Sequence, residues 1–202
     1  MPTANRPRLW IVAGPNGSGK STSYDSSDIE EFNRSVWIIN PDLLAARIRD
    51  MEDLPLGEAN LQAVRRIERW LEASIEAHQT VGVETVLSSP KYRRLVELAK
   101  SKGFEVRLIY VILRSPDLNV ERVRLRVLKG GHDVPEDKVR ARYVRSLEQM
   151  PWFLDQADRA WVFDNSGRTP RLIAAKRDGE ITIDPRGIPA VEAAIRTLGA
   201  DE

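Results

Sequence analysis

The chain has no cysteine. Disulfides, thiol catalysis and cysteine-ligated zinc are thereby excluded. Two histidines, His78 and His132, leave little scope for a histidine-based metal site. Long apolar runs are absent too. The first, Leu9–Ala13, has five residues, too few for a signal-peptide core or a membrane span. The expectation is a soluble cytoplasmic protein with no membrane partner. Net charge is also small, with 31 basic against 30 acidic residues among 202. A dedicated nucleic-acid binder would be clearly basic, so nucleic acid is not the expected partner. Hydrophobic residues at 42% and charged residues at 30% are ordinary globular values, which argues against disorder.

The small total conceals an uneven distribution. Residues 1–90 carry 9 basic and 13 acidic side chains, residues 91–150 carry 15 and 8, and residues 151–202 carry 7 and 9. A basic middle segment suits either a local anionic ligand or a solvated arginine-rich surface.

Short apolar runs alternate with amphipathic stretches. Leu9–Ala13, Val36–Ile39, Val81–Leu87, Val106–Leu113 and Ala160–Phe163 read as five strands. Near-continuous apolar strands suit a parallel sheet covered on both faces. Between them, Glu58–Ala77 repeats Leu61, Val64, Ile67, Leu71 and Ile75 at helical spacing, and Lys91–Lys102 carries Leu95, Leu98 and Ala99. Leu118–Leu128 and Glu136–Met150 predict two helices joined by a turn that contains Gly130, Gly131 and Pro135. A weak strand, Glu180–Ile183, and a helix, Pro189–Leu198, close the pattern. The alternation predicts one three-layer α/β domain over residues 1–202 with a mostly parallel sheet.

Gly14-Pro15-Asn16-Gly17-Ser18-Gly19-Lys20-Ser21 matches the phosphate-binding pattern G-x-x-x-x-G-K-[ST] and directly follows a predicted strand. In such a loop glycines let backbone N–H groups converge on phosphate oxygens. Lys20 reaches the β- and γ-phosphates, and the Ser21 hydroxyl ligates Mg²⁺. Gly14, Asn16, Gly17, Ser18, Gly19, Lys20, Ser21 and Thr22 are therefore the candidate ATP-binding residues, with ATP and Mg²⁺ as cofactors.

Asp42 follows the second predicted strand, where doubly wound sheets bind ligands. It suits either a general base for an acceptor hydroxyl or a cap for the helix beginning near Leu43. Glu84-Thr85 lies near the end of the third strand, where a carboxylate must be paired or face a metal or substrate. Arg122 and Arg126 share a face of one helix, and Arg140 and Arg142 lie on the next. These two helices, about residues 118–147, form a candidate lid whose arginines would stabilise a transferring phosphoryl group and whose closure would exclude water. Arg124 is expected to face solvent, and His132 to be structural. Asp164-Asn165-Ser166 reads equally as part of a nucleotide-base site or as a turn.

Taken in order, GPNGSGKST, IINPD, ETVLSS, RVRLRVLKGGHDVPEDKVRARYVRSL and VFDNS resemble the zeta-toxin-like P-loop kinases. The likeness is strongest to the small bacterial branch labelled predicted ABC-type ATPases or kinases. It runs from about Leu9 to Ser166, and GGHDVPE is its most specific segment. The resemblance implies a five-stranded parallel core of order 2-3-1-4-5 and phosphorylation of UDP-N-acetylglucosamine on a sugar hydroxyl. By it Asp42 matches the general base, Glu84 the substrate-contacting acid, and Arg126 and Arg142 the phosphate-stabilising arginines. Val86 stands where many relatives have threonine, and Ala141 interrupts an arginine run.

The expected function is thus ATP-dependent phosphoryl transfer to a hydroxyl of a small molecule. Catalytic candidates are Asp42, Lys20, Arg126 and Arg142. Substrate-binding candidates are Asp42, Glu84, Thr85, Arg122 and Arg140, and Ser21 is the metal ligand. A different acceptor, such as a nucleoside, polynucleotide end or other metabolite, stays open. So do an ATP-hydrolysing switch and an antitoxin protein as partner.

Overall fold

The computed structural model describes residues 6–20 and 38–199, with the backbone alone at Asp42. Among the described residues seven strands form one sheet: β1 Arg8–Ala13, β2 Ile38–Ile39, β3 Val81–Thr85, β4 Glu105–Ile112, β5 Arg159–Asp164, β6 Arg171–Arg177 and β7 Glu180–Ile183. Six α-helices among the same residues accompany them: α1 Pro41–Glu52, α2 Leu56–Glu76, α3 Arg93–Ser101, α4 Pro116–Leu128, α5 Glu136–Gln156 and α6 Pro189–Arg196. The strand order is β2-β3-β1-β4-β5-β6-β7. The first five are parallel, in the 2-3-1-4-5 order expected of the core. The last two add antiparallel pairs: β7 is the weak strand expected at Glu180–Ile183, and β6 is a strand the expectation lacked. Residues Val36 and Trp37 of the second predicted strand lie outside the described residues.

Parallel strands here are apolar on both faces, as sheets sandwiched by other layers require. Leu9, Ile11 and Ala13 join the main core with Ile67 and Leu71 of α2, Val96 of α3, Phe153 of α5 and Val191 of α6. Trp10 and Val12 project oppositely and pack with Ile109 and Val111, and Trp10 stacks on Trp161 at 6.0 Å between ring centroids.

The α2 stripe is shifted from its expected position. Ala59, Ala63, Ile67, Leu71, Ser74 and Ile75 are buried, whereas Leu61 is exposed. The alanines allow α1 to approach, packing on Ala45 and Ile48. α4 starts two residues earlier than expected because Ser115 caps it, its hydroxyl accepting from Leu118 N–H at 3.4 Å, with Pro116 in the first turn. α4 and α5 share a small apolar cluster of their own: Val120, Val123, Val134 and Val139.

Register brings strand ends together. Ala13 pairs with Thr85 of β3 and Tyr110 of β4, and Ile112 pairs with Asp164 of β5. The loop after β1 thus begins where three neighbouring strands also stop. Gly14 opens it at φ 143, and its N–H donates to Thr85 O at 3.2 Å. A β-carbon there would lie 2.0 Å from Val111 O. Gly14→Ala is therefore expected to destabilise the fold by about 3 kcal/mol or more, roughly 6–12 °C in Tm for a chain of this size. Thermal unfolding followed by circular dichroism would measure the shift, and an unchanged Tm would contradict this placement.

Candidate active site

Lys20 is 7% exposed, folded back against its own loop. Its Nζ donates to Gly14 O at 2.9 Å and Pro15 O at 3.3 Å, and lies 3.9 Å from Glu84 Oε1. The sequence left open whether Glu84 is paired or faces a metal or substrate. Among the described residues the loop lysine is a cation beside it. Glu84 is 8% exposed, so the neighbouring charge offsets part of its desolvation.

The loop is braced from two other elements. Asn119 of α4, fully buried, donates through Nδ2 to Asn16 O at 2.7 Å. Asn165, just after β5, donates through Nδ2 to Ser18 O at 2.8 Å. Arg122 in turn donates to Asn165 O at 2.6 Å. Asn165 thus supports the phosphate loop itself. Asn119 was not singled out in the sequence, although a polar amide among the apolar positions of an amphipathic helix is a signal.

A cavity of about 390 Å³ opens beside the loop, beyond the carboxyl ends of the strands. Asn16, Gly17 and Lys20 form its floor, with Glu84 and Thr85 from β3 beside them. Arg126, His132, Val134 and Arg142 close it from the α4–α5 side, and Asn40, Pro41, Asn60, Ser88, Ser89, Lys91 and Tyr92 bound the far side. Arg142 NH1 donates to Asn16 Oδ1 at 3.1 Å, tying α5 to the loop. Tyr143 Oη donates to Leu113 O at 2.8 Å and anchors the same turn of α5 over the end of β4. Arg126 NH2 donates to His132 O at 2.7 Å, holding the turn between the two helices. His132, expected to be structural, therefore borders the cavity while its carbonyl serves the turn.

The sequence-derived residues divide accordingly. Asn16, Gly17, Lys20, Glu84, Thr85, Arg126 and Arg142 are brought together around one cavity. Thr85 Oγ1 also accepts from Leu87 N–H at 3.0 Å, in a turn that holds Leu87 at φ 56. Arg122 braces the loop from behind rather than lining the cavity. Arg140 is drawn away into ion pairs with Asp117 at 2.7 Å and Glu136 at 2.8 Å. It does not border this cavity. The hydrogen bonds and ion pairs with Glu136 and Asp117 raise its pKa further, so the guanidinium remains a fully charged surface clasp. Arg124 is exposed and paired with Glu136 at 2.6 Å, as expected of a solvent-facing residue. Ser21 and Thr22 lie outside the described residues.

Asp42 occupies the first turn of α1, between the cavity-lining Pro41 and the exposed Leu43. At the start of the helix Asn40 Oδ1 accepts from Leu43 N–H at 3.4 Å, and Asn40 O from Leu44 N–H at 3.2 Å, so Asn40 caps it.

A parallel 2-3-1-4-5 core with a glycine-rich loop after β1, and with arginine-bearing helices beyond β4, defines a P-loop protein of the kinase type. The sequence matches the Zeta toxin family over residues 1–184, and the chain belongs to that family. It is 30% identical over 147 residues to an uncharacterized protein of Haemophilus influenzae, covering 68% of this chain and 99% of that one. Its fold is similar to a chain of the AvrRxo1-ORF1:-ORF2 complex crystallised with ATP, with TM-score 0.70 and 16% identity over 97% of this chain. This chain spans 63% of that AvrRxo1 chain. It is also similar to a chain of the PezAT chromosomal toxin–antitoxin system of Streptococcus pneumoniae, with TM-score 0.63, 15% identity, and coverage of 98% and 87%. No helix among the described residues is long and apolar enough to cross a membrane.

Proposed function

We propose that the chain is an ATP-dependent phosphotransferase. It moves the γ-phosphoryl group of ATP to a hydroxyl of a small molecule, and a UDP-N-acetylsugar is the first acceptor to test. One observation carries this reading. Lys20, Arg126 and Arg142 converge with Glu84 and the Asn40–Pro41 corner around one cavity at the strand ends.

The donor set suits a polyphosphate. Lys20 sits among loop carbonyls that it can leave for a phosphate oxygen, and two guanidinium groups face it from the α4–α5 pair. Mg²⁺, held through Ser21, would supply charge neutralisation across the phosphates when bound. Lys20 would bind the β- and γ-phosphates, and Arg126 and Arg142 would stabilise the charge spread over the moving group. Asp42 would orient the acceptor hydroxyl and take its proton. Glu84 and Thr85 would hold the acceptor through hydrogen bonds. Residues 118–147 would act as a lid on the single domain, an idea supported by the separate valine cluster that joins α4 to α5.

The similarity to a toxin–antitoxin system supports a toxin role, with an antitoxin protein as partner. Incubating the protein with ATP, Mg²⁺ and a pool of UDP-sugars and metabolites, followed by mass spectrometry, tests the proposal. A product heavier by about 80 Da, one phosphoryl group, is expected. ADP release with no such product would favour a hydrolysing switch instead.

A further inference from the structure

The arginines of α4 and α5 divide by what holds them. Arg124 and Arg140 pair with carboxylates, Glu136 for both and Asp117 for the second. Those pairs neutralise positive charge at the surface. Arg122, Arg126 and Arg142 donate instead to neutral oxygens: Asn165 O, His132 O and Asn16 Oδ1. Of these three, Arg126 and Arg142 border the cavity. A neutral acceptor fixes the direction of a guanidinium and leaves its charge for an incoming anion.

Arg142 stands apart within that group, because its acceptor is a side chain of the phosphate loop itself. Arginine carries no acceptor atom, so the amide atom that faces it must be the oxygen. Asn16 is 5% exposed, and its backbone is fixed twice over. Its carbonyl accepts from Asn119 Nδ2 of α4 at 2.7 Å. The next residue, Gly17, lies against the same helix. A β-carbon there would come within 2.6 Å of Asn119 O and 3.1 Å of Val123 Cγ2. The backbone that carries the Asn16 amide therefore cannot shift without displacing α4. Through one residue the loop is joined to α4 by a backbone carbonyl and to α5 by a side chain.

We infer that Asn16 is a positioning residue that acts through Arg142. Its side-chain oxygen aims the guanidinium at the terminal phosphate of a nucleotide in the loop without cancelling the charge. A loop position at which the phosphate-binding pattern accepts any residue thereby gains a side-chain function. The inference rests on the proposed roles of the loop and of Arg142, and it adds the group that connects them.

Wild type, Asn16→Ala, Arg142→Ala and the double variant form a cycle that tests it. Each full chain is titrated by calorimetry, with Mg²⁺ present, against ADP and against the β,γ-imido analogue of ATP. The ratio of the two affinities isolates the terminal phosphate. The wild type is expected to prefer the triphosphate. Each single substitution should cut that preference about tenfold, the scale of a lost charge-assisted contact, while ADP affinity stays within about twofold. The double variant should lose no more than Arg142→Ala alone. Losses that add, or an equal fall in ADP affinity in Asn16→Ala, overturn the assignment, because Asn16 then shapes the loop or meets the nucleotide itself. Asn16→Asp keeps the size and the acceptor oxygen but supplies a counter-charge. Its preference should fall below that of Asn16→Ala, and a wild-type preference there also overturns the assignment. Coupling in the cycle without transfer to any acceptor would uphold Asn16 and count against the transferase. Transfer without coupling would do the reverse.

Discussion

Lys20→Ala is expected to weaken ATP binding roughly 10–100-fold, the scale of a lost hydrogen bond to a charged group. Turnover should fall further, by about 10²–10³-fold, because the same ammonium faces charge that grows during transfer. Calorimetric titration with ATP and a coupled ADP-release assay would separate the two losses. Two of the ammonium's hydrogen bonds are to carbonyls of its own loop. The substitution has a second consequence at Glu84, which is 8% exposed and loses a cation at 3.9 Å. A buried carboxylate without that cation keeps more of its desolvation cost. Lys20→Ala combined with Glu84→Gln should recover any lost thermal stability without recovering ATP affinity. Retention of wild-type ATP affinity in Lys20→Ala would remove the loop from the proposed chemistry.

Asp42→Asn is expected to separate binding from chemistry. ATP affinity should stay within about twofold, since α1 follows β2, which β3 separates from β1 and its loop, and keeps its cap through Asn40. Transfer should fall by roughly 10²–10⁴-fold, the contribution of a positioned general base. The amide matches the carboxylate in size but cannot accept the hydroxyl proton. Equal turnover by Asp42→Asn would end the base assignment and leave Glu84 as the carboxylate to examine.

The core and the loop were legible because their signals are local. A buried parallel strand is a short apolar run, and a phosphate loop is a contiguous string, so both can be read without knowing what lies opposite. β6 was missed because Arg171–Arg177 begins and ends in charge and buries Ile173 and Ala174 side by side instead of alternating. Its clearest signal was the following pair, Asp178-Gly179. Both adopt positive φ, 52° and 85°, in the two-residue turn that joins β6 to β7. The arginines show the other limit. Helical spacing places Arg122 and Arg126 on one face, yet a bond to Asn165 draws one behind the loop while the other reaches the cavity. Arg140 and Arg142 lie two positions apart and diverge more sharply, because Asp117 and Glu136 claim the first. Such competition among partners depends on tertiary neighbours, and no spacing rule encodes it.

The two asparagine amides that hold Asn16 O and Ser18 O fix more than the position of the loop. A trans peptide plane directs its carbonyl and its N–H to opposite sides, and no cis bond interrupts the described chain. Holding those carbonyls therefore turns the N–H groups of Gly17 and Gly19 away from Asn119 and Asn165. Two glycine peptides, otherwise the easiest in the chain to rotate, are oriented when the protein folds. The entropy of ordering them is then lost during folding, and little of it remains to be lost when an anion arrives.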